Sequence, residues 1–301
     1  MRIGIFGGDV TTGNDLARVT QTAKTAAEQG FAVFSLPQIF GADALTVLAV
    51  IGRDVPGIEL GTGVVPTYPR HPAMLAAQAL TVQAATGNRL LLGIGLSHQM
   101  VIEGMFGYSF EKPVRHMREY LSILMPLLRG EAADFDGDTL HAHLSVTVPD
   151  ATAPPVLVAA LGEQMLRLVG TVADGTVTWM TGPATLADHT VPTITAAAEA
   201  AGRPAPRVVV SLPVCVSDDA DAARERAARD FQVYGMLPSY RAMLDREGAA
   251  GPADVALVGS EAEVRAGIQR VADAGATDFV AAEFGSSADR ARTRDLLRSL
   301  L

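Results

Sequence analysis

Short runs of apolar and β-branched residues recur along the chain, at 2–8, 32–37, 58–65, 90–96, 156–160, 175–179, 207–216 and 277–283. Amphipathic stretches of helical period lie between them, among them 15–29, 72–86, 114–129 and 261–274. Several stop at glycine, Gly30 and Gly87 most clearly, because the left-handed backbone that ends a helix costs a residue without Cβ nothing. Strand alternating with helix builds a parallel sheet. Eight such units predict an α/β fold, a (β/α)8 TIM barrel, formed as one domain over 1–301. Two segments fit no strand-and-helix unit: 133–149, with alternating polar and apolar residues, and 231–254, with Pro238, Gly248, Gly251 and Pro252. They are expected as insertions in the fourth and seventh connections from strand to helix.

The rival arrangement is an open doubly wound sheet, since glycines follow the first strand. Their spacing at Gly7, Gly8 and Gly13 is not that of a dinucleotide loop, and the second strand ends at Pro37 and Gln38 rather than at an acidic ribose ligand. The G-x-G at Gly93 and Gly95 lies inside a strand, where it suits close approach of a ligand or of neighbouring backbone.

Charge narrows the function. With 33 acidic against 24 basic residues the net charge is −9, the only lysines are Lys24 and Lys112, and no basic cluster offsets the acidity. A phosphate polymer is repelled, so nucleic-acid binding is not expected. The N-terminus lacks the succession of a secretory signal and no apolar run approaches the ~20 residues of a membrane span, so a cytoplasmic protein without membrane contact is expected. Cys215, the single cysteine, sits in an apolar run and reads as a small buried hydrophobe.

In a barrel of this kind the chemistry sits where the strands end and the following loops begin. That rule selects Asp9, Gln38, residues 64–67, Ser97, His98, residues 161–164, Trp179, Cys215 and Glu283. No zinc-binding helix motif or Cys/His cluster is present, so no metal is expected. His141 and His143, two apart on a β-like segment, share a face but do not by themselves make a site. No nucleophile elbow is present, and Ser97 beside His98 is no catalytic pair by adjacency alone.

The segments LGTGVVPTYPRHP at 60–72, NRLLLGIGLSH at 88–98 and PVLVAALG at 155–162 together resemble the bacterial luciferase-like superfamily of flavin and deazaflavin barrels, closest to its coenzyme F420-dependent oxidoreductases. ADGTVTW at 173–179 and ALVGSEAEV at 256–264 extend the resemblance over nearly the whole chain. It implies a non-prolyl cis peptide between Gly63 and Val64, a bulge backing the deazaflavin ring. It implies that Leu161, Gly162, Glu163 and Gln164 form the turn where the cofactor phosphate meets a helix N-terminus, whose N–H groups and dipole bind anions without lysine, with Ala160 before it also cofactor-binding. Glu163 is awkward there unless its carboxylate points away. Gln38, Ser97, His98 and Trp179 are expected to complete the cofactor-binding set. His98 stands where the sugar-phosphate dehydrogenases of the group place an acid, and an imidazole titrating near ~6.5 would serve as proton donor.

Two departures matter. Pro37 and Gln38 replace the Asp-His pair of those dehydrogenases, and the loop after Trp179 lacks a lysine for a substrate phosphate. A less polar small-molecule substrate is favoured, with Trp179, Met180, Phe40, Met105, Phe106 and Tyr108 as candidate walls. Arg70 is a candidate for the cofactor tail or for a structural ion pair, and Glu283 for a second acid or a buried partner of an arginine. The expected activity is hydride transfer between coenzyme F420 and an activated C=C, C=O or C=N bond. The alternatives are an FMN-dependent monooxygenase fed by a separate reductase, and a flavin-binding barrel without turnover. A homodimer is one assembly the resemblance allows: the apolar face of 114–128 suits a second subunit or the barrel itself.

Overall fold

The computed structural model describes residues 1–8 and 16–301; Asp9 and Gly13 lie outside them. Eight parallel strands close on themselves: β1 (Arg2–Phe6), β2 (Val33–Leu36), β3 (Glu59–Thr62), β4 (Leu90–Gly95), β5 (Val156–Val158), β6 (Gly175–Trp179), β7 (Arg207–Val216) and β8 (Asp278–Glu283). Each pairs with the next, and β8 pairs with β1 through Arg2 opposite Asp278. The closed ring excludes the open sheet and makes the fold a (β/α)8 barrel.

Eight helices form the outer layer: α1 (Leu16–Glu28), α2 (Ala44–Asp54), α3 (Pro72–Thr86), α4 (Pro113–Leu128), α5 (Glu163–Val172), α6 (Val191–Ala200), α7 (Glu261–Asp273) and α8 (Ser287–Arg298). Local sequence sets their starts. Asp43 caps α2 by accepting from Thr46 N, Pro72 opens α3 where its missing N–H is harmless, and Ser260 and Ser286 form capping boxes with Glu263 and Asp289. Gly87 ends α3 at φ 66°.

Strand side chains alternate between two apolar regions. The outer core lies between sheet and helices and takes Ile3, Ile5, Phe34, Leu60, Leu92 and Phe279. The inner core fills the barrel with Val33, Leu91, Leu157, Val209 and Val280, against which Phe6 and Val177 pack. Below this layer, at the strands' N-terminal ends, four charges close the barrel. Arg2 reaches Glu59 at 2.8 Å and Asp278 at 2.7 Å, and Arg207 reaches the same two at 2.6 and 2.8 Å.

The insertions differ in part from expectation. The seventh strand-to-helix connection does carry 231–254, which forms short helices at Gln232–Met236 and Pro238–Glu247. The hairpin Ala133–Asp136 and His141–Leu144 instead follows α4, on the return from helix to strand. It lies against the outside of α4, where the Glu119 carboxylate accepts the N–H groups of Asp138, Thr139 and Leu140. Alternation identifies a strand pair but does not say which side of a helix it folds over. The fourth strand-to-helix connection carries the helix Gln99–Gly104. On α4, His116, Met117, Tyr120, Leu121, Ile123, Leu124, Leu127 and Leu128 are buried within the chain, so the barrel covers the face proposed for a second subunit.

Candidate active site

The same alternation places Phe6, Ser35, Gly61, Gly63, Gly95, Ala159 and Trp179 toward the barrel axis at the C-terminal mouth. From β2 round to β5 the lining is small, and on β1 and β6 it is large. Phe6 stacks on Trp179 with ring centroids 6.0 Å apart and planes inclined by 19°. The result is a one-sided recess beside an aromatic wall.

At the end of β3 the Gly63–Val64 peptide is cis, as the resemblance implied. The position a Gly63 Cβ would take is 3.0 Å from Ser35 Oγ and 3.3 Å from Phe6 Cε2, so this glycine faces the recess. Beyond the bulge, Val65 and Pro66 resume pairing with β4, and Thr67 N–H donates to the Gly95 carbonyl at 2.9 Å. The β4 glycines now have a reason. A Cβ at Gly93 would stand 2.0 Å from the Thr62 carbonyl oxygen, and one at Gly95 2.7 Å from Val64 Cγ2. They make room for the bulge, which is the backbone-packing reading of the G-x-G.

Ser97, at φ 61°, turns the chain out of β4. His98 precedes the helix Gln99–Gly104 and lies with its ring 5.6 Å from that of Tyr240. Burial lowers its pKa below the ordinary 6.5, so the ring is uncharged at neutral pH. Gln38 turns back on its own loop, where its Oε1 accepts from Ala44 N at 2.7 Å. It organises the entry to α2.

After β5, the Ala160 side chain is buried in the outer core. Ala159, one residue earlier, is the inward one. Gly162 is the N-cap of α5, and no side chain caps that end. The Glu163 carboxylate is drawn to Arg167 one turn along at 2.6 Å, a hydrogen bond that also lowers its pKa. Glu163 thus has an opposite charge of its own. The Leu161 carbonyl accepts from His189 Nε2 at 2.7 Å.

The 231–254 insertion completes the aromatic wall. Trp179 meets Phe231 and Tyr234 edge-on at 6.0 and 5.6 Å, and Tyr234 meets Tyr240 at 5.3 Å. Rings thus run from Phe6 to His98 around one side of the mouth. Among the residues not foreseen, Phe6, Ser35 and Ala159 were open to period-two counting along their strands. Tyr234 and Tyr240 had no such signal.

Other candidates resolve elsewhere. Arg70 pairs with Asp43, and Glu283 faces outward to Arg294 at 2.5 Å. Burial pushes the Cys215 thiol up to about 11, an inert setting. His141 and His143 sit on the exposed hairpin beside Asp136 and Asp134, at 3.2 and 2.6 Å. Met180 is fully buried, whereas Phe40, Met105, Phe106 and Tyr108 are exposed at the rim. Among the described residues no helix is long and apolar enough to cross a membrane.

A family model described as luciferase-like monooxygenase matches residues 1–282. The chain belongs to that family. The 5,10-methylenetetrahydromethanopterin reductase of Methanolobus tindarius is 28% identical to it over 254 residues, 83% of this chain and 77% of that protein. The reductase of the same name from Archaeoglobus fulgidus is 30% identical over 68% of this chain and 60% of its own length. Among solved structures, an F420-dependent secondary alcohol dehydrogenase with an F420-acetone adduct superposes with a TM-score of 0.84 at 19% identity, covering 100% of this chain and 98% of the other. A type II Baeyer-Villiger monooxygenase component of Pseudomonas putida in complex with FMN gives 0.76 at 18% identity, covering 99% and 96%. Likeness at that identity establishes the shared barrel.

Proposed function

We propose that this protein is an F420-dependent oxidoreductase, acting as a reductase of neutral, largely apolar acceptors. The observation that carries the reading is the pairing, at one mouth, of a small-residue recess with an uncapped helix N-terminus. Ser35, Gly61, Gly63 and Ala159 leave room for a planar ring, and Gly162 lies three residues past Ala159, roughly 10 Å of extended chain. A group that is a flat ring at one end and a phosphate at the other fits both. The reductases similar over most of the chain support the deazaflavin in particular.

Bound there, the deazaflavin supplies a hydride at its C5 position. The chain's own residues do the rest. The N–H groups of Gly162, Glu163 and Gln164 hold the phosphate by the partial positive charge of the helix terminus. The Gly63–Val64 bulge backs the ring, and Phe6, Trp179 and Tyr234 keep water from one side of it. The uncharged His98 ring donates a hydrogen bond to the acceptor's oxygen or nitrogen as charge develops on it.

The rim supports an apolar acceptor. Ile39 and Phe40 follow β2, Met100, Met105 and Phe106 follow β4, and Met236 follows β7, all exposed; Phe40 and Phe106 lie 6.4 Å apart. The connections after β2, β3 and β4 contain only Arg70, His71, His98 and Lys112 as basic residues, and Arg70 is already paired. An anionic acceptor finds little there to bind it.

The test is a parallel fluorescence titration with F420 and FMN, followed by assay of reduced F420 against an apolar enone and a phosphorylated sugar. Preference for F420 and oxidation by the enone alone is expected. Preference for FMN with oxygen consumption would overturn the reading in favour of a flavin monooxygenase, a reading favoured by the FMN-bound neighbour. Binding of both cofactors without turnover of any acceptor would leave a flavin-binding barrel.

A further inference from the structure

His189 lies outside the strand ends where chemistry was sought, yet it is buried, with 7% of its surface exposed. Its Nε2 sits 2.7 Å from the Leu161 carbonyl. An oxygen can only accept, so the imidazole carries its proton on Nε2 and donates. Leu161 is the residue immediately before the N-cap of α5. In a trans peptide the C=O and the following N–H point in opposite directions. Tying the Leu161 oxygen to a buried ring therefore turns the Gly162 N–H away from the packed interior, which is the orientation an anion at the helix terminus requires.

The segment that carries His189 is fixed independently. Residues 186–190 form a π turn, with Val191 N–H donating to the Leu186 carbonyl. Pro192 follows and has no N–H to give the Asp188 carbonyl, so regular α pairing is interrupted at this point. The segment's start is held by Glu247 of the seventh-connection insertion, whose two carboxylate oxygens accept Ala184 N at 3.1 Å and Thr185 N at 2.7 Å. A Cβ at Gly182 would stand 2.3 Å from the Glu247 carboxyl carbon, so the close approach depends on that glycine.

We propose that His189 is a positioning residue for the phosphate end of the cofactor site, presetting the 161–164 turn through the Leu161 carbonyl. This rests on the assignment of that turn to the cofactor phosphate. The role is separable from general stability, because it concerns only ligands that carry the phosphate.

The experiment compares F420 with its dephosphorylated deazaflavin core, and FMN with riboflavin, by fluorescence titration of the wild type, His189→Leu and His189→Gln, each below its unfolding temperature. Gln places an amide N–H near the position of Nε2 and retains the donor. Expected is a ten- to thirty-fold loss of affinity for the phosphorylated ligand in His189→Leu, no change for the dephosphorylated one, and recovery to within three-fold in His189→Gln. An equal loss for both ligands, no loss for either, or failure of His189→Gln to recover in a folded protein would overturn the proposal. If the wild type itself does not discriminate the phosphorylated from the dephosphorylated form, the phosphate assignment fails first, a result distinct from failure of His189.

Discussion

The two ends of the barrel are made by the same eight strands and are opposites in chemistry. At the N-terminal end Arg2, Glu59, Arg207 and Asp278 close the axis with matched charges. At the C-terminal end glycine, alanine and serine leave a recess, with backbone N–H groups and the His98 imidazole near it. Inward positions two residues apart on one strand serve the two purposes, as Glu59 and Gly61 do on β3. Closing the base removes water from one end and holds the ring of strands, leaving the other end free to carry small residues that contribute little packing.

The sharpest way to separate the ends is to damage each in turn. Arg207→Met leaves Glu59 and Asp278 with only Arg2 between them; a buried pair broken on one side costs about 3 kcal/mol or more. Urea unfolding should show that loss, while F420 affinity of the folded variant stays within a few-fold. Loss of cofactor affinity as large as the loss of stability would erase the distinction between base and mouth.

Gly63→Leu attacks the mouth. Its Cβ already approaches Ser35 and Phe6, and the added carbons fill the recess, so a hundred-fold or greater loss of affinity for F420 and FMN alike is expected by titration. Unchanged affinity would place the ring elsewhere.

His98→Ala should lower kcat about a hundred-fold, the lower end of the span for a positioned side-chain proton donor, with the F420 Kd changed less than three-fold. Because burial lowers the His98 pKa, the wild-type rate should stay level as pH rises from 6.5 to 8. A decline across that interval would mean that the charged ring is the working form.

A last effect, on stability, lies at the first turn of α4. His116, hydrogen-bonded to Thr67 Oγ1 at 3.0 Å and stacked on Tyr68 at 3.9 Å, is pushed by burial down to about 4. The unfolded chain takes up this proton near 6.5, the folded chain only near 4. The stability contributed by the neutral ring is therefore complete above 6.5 and is lost as pH falls toward 4. Denaturation midpoints measured across that window should decline, with a shallower decline in His116→Gln.

The barrel was legible because eight strands and their helices leave periodic, punctuated marks. Gly30 and Gly87 mark ends, and apolar runs mark strands that are covered on both faces. The mouth was legible from the strand ends: Gly63 and Val64, His98, Gly162 and Trp179 all lie there. The side chain of Ala160 belongs to the outer core and that of Ala159 to the mouth, because inward and outward positions alternate along a strand. Gln38 lies at the mouth, but its amide closes its own loop, a choice no strand period records.

The sequence by itself determined the order of elements, the parallel strand-and-helix class of the sheet and the net charge of −9, since these follow from local period and composition. Only the tertiary structure decided that Tyr234 and Tyr240 reach across to Trp179 and His98, that the hairpin folds outside α4, and that His189 grips the Leu161 carbonyl. These contacts join residues that local periodicity does not relate. A hydrogen bond such as that between His189 and Leu161, 28 positions apart, depends on how the packed helices place their loops.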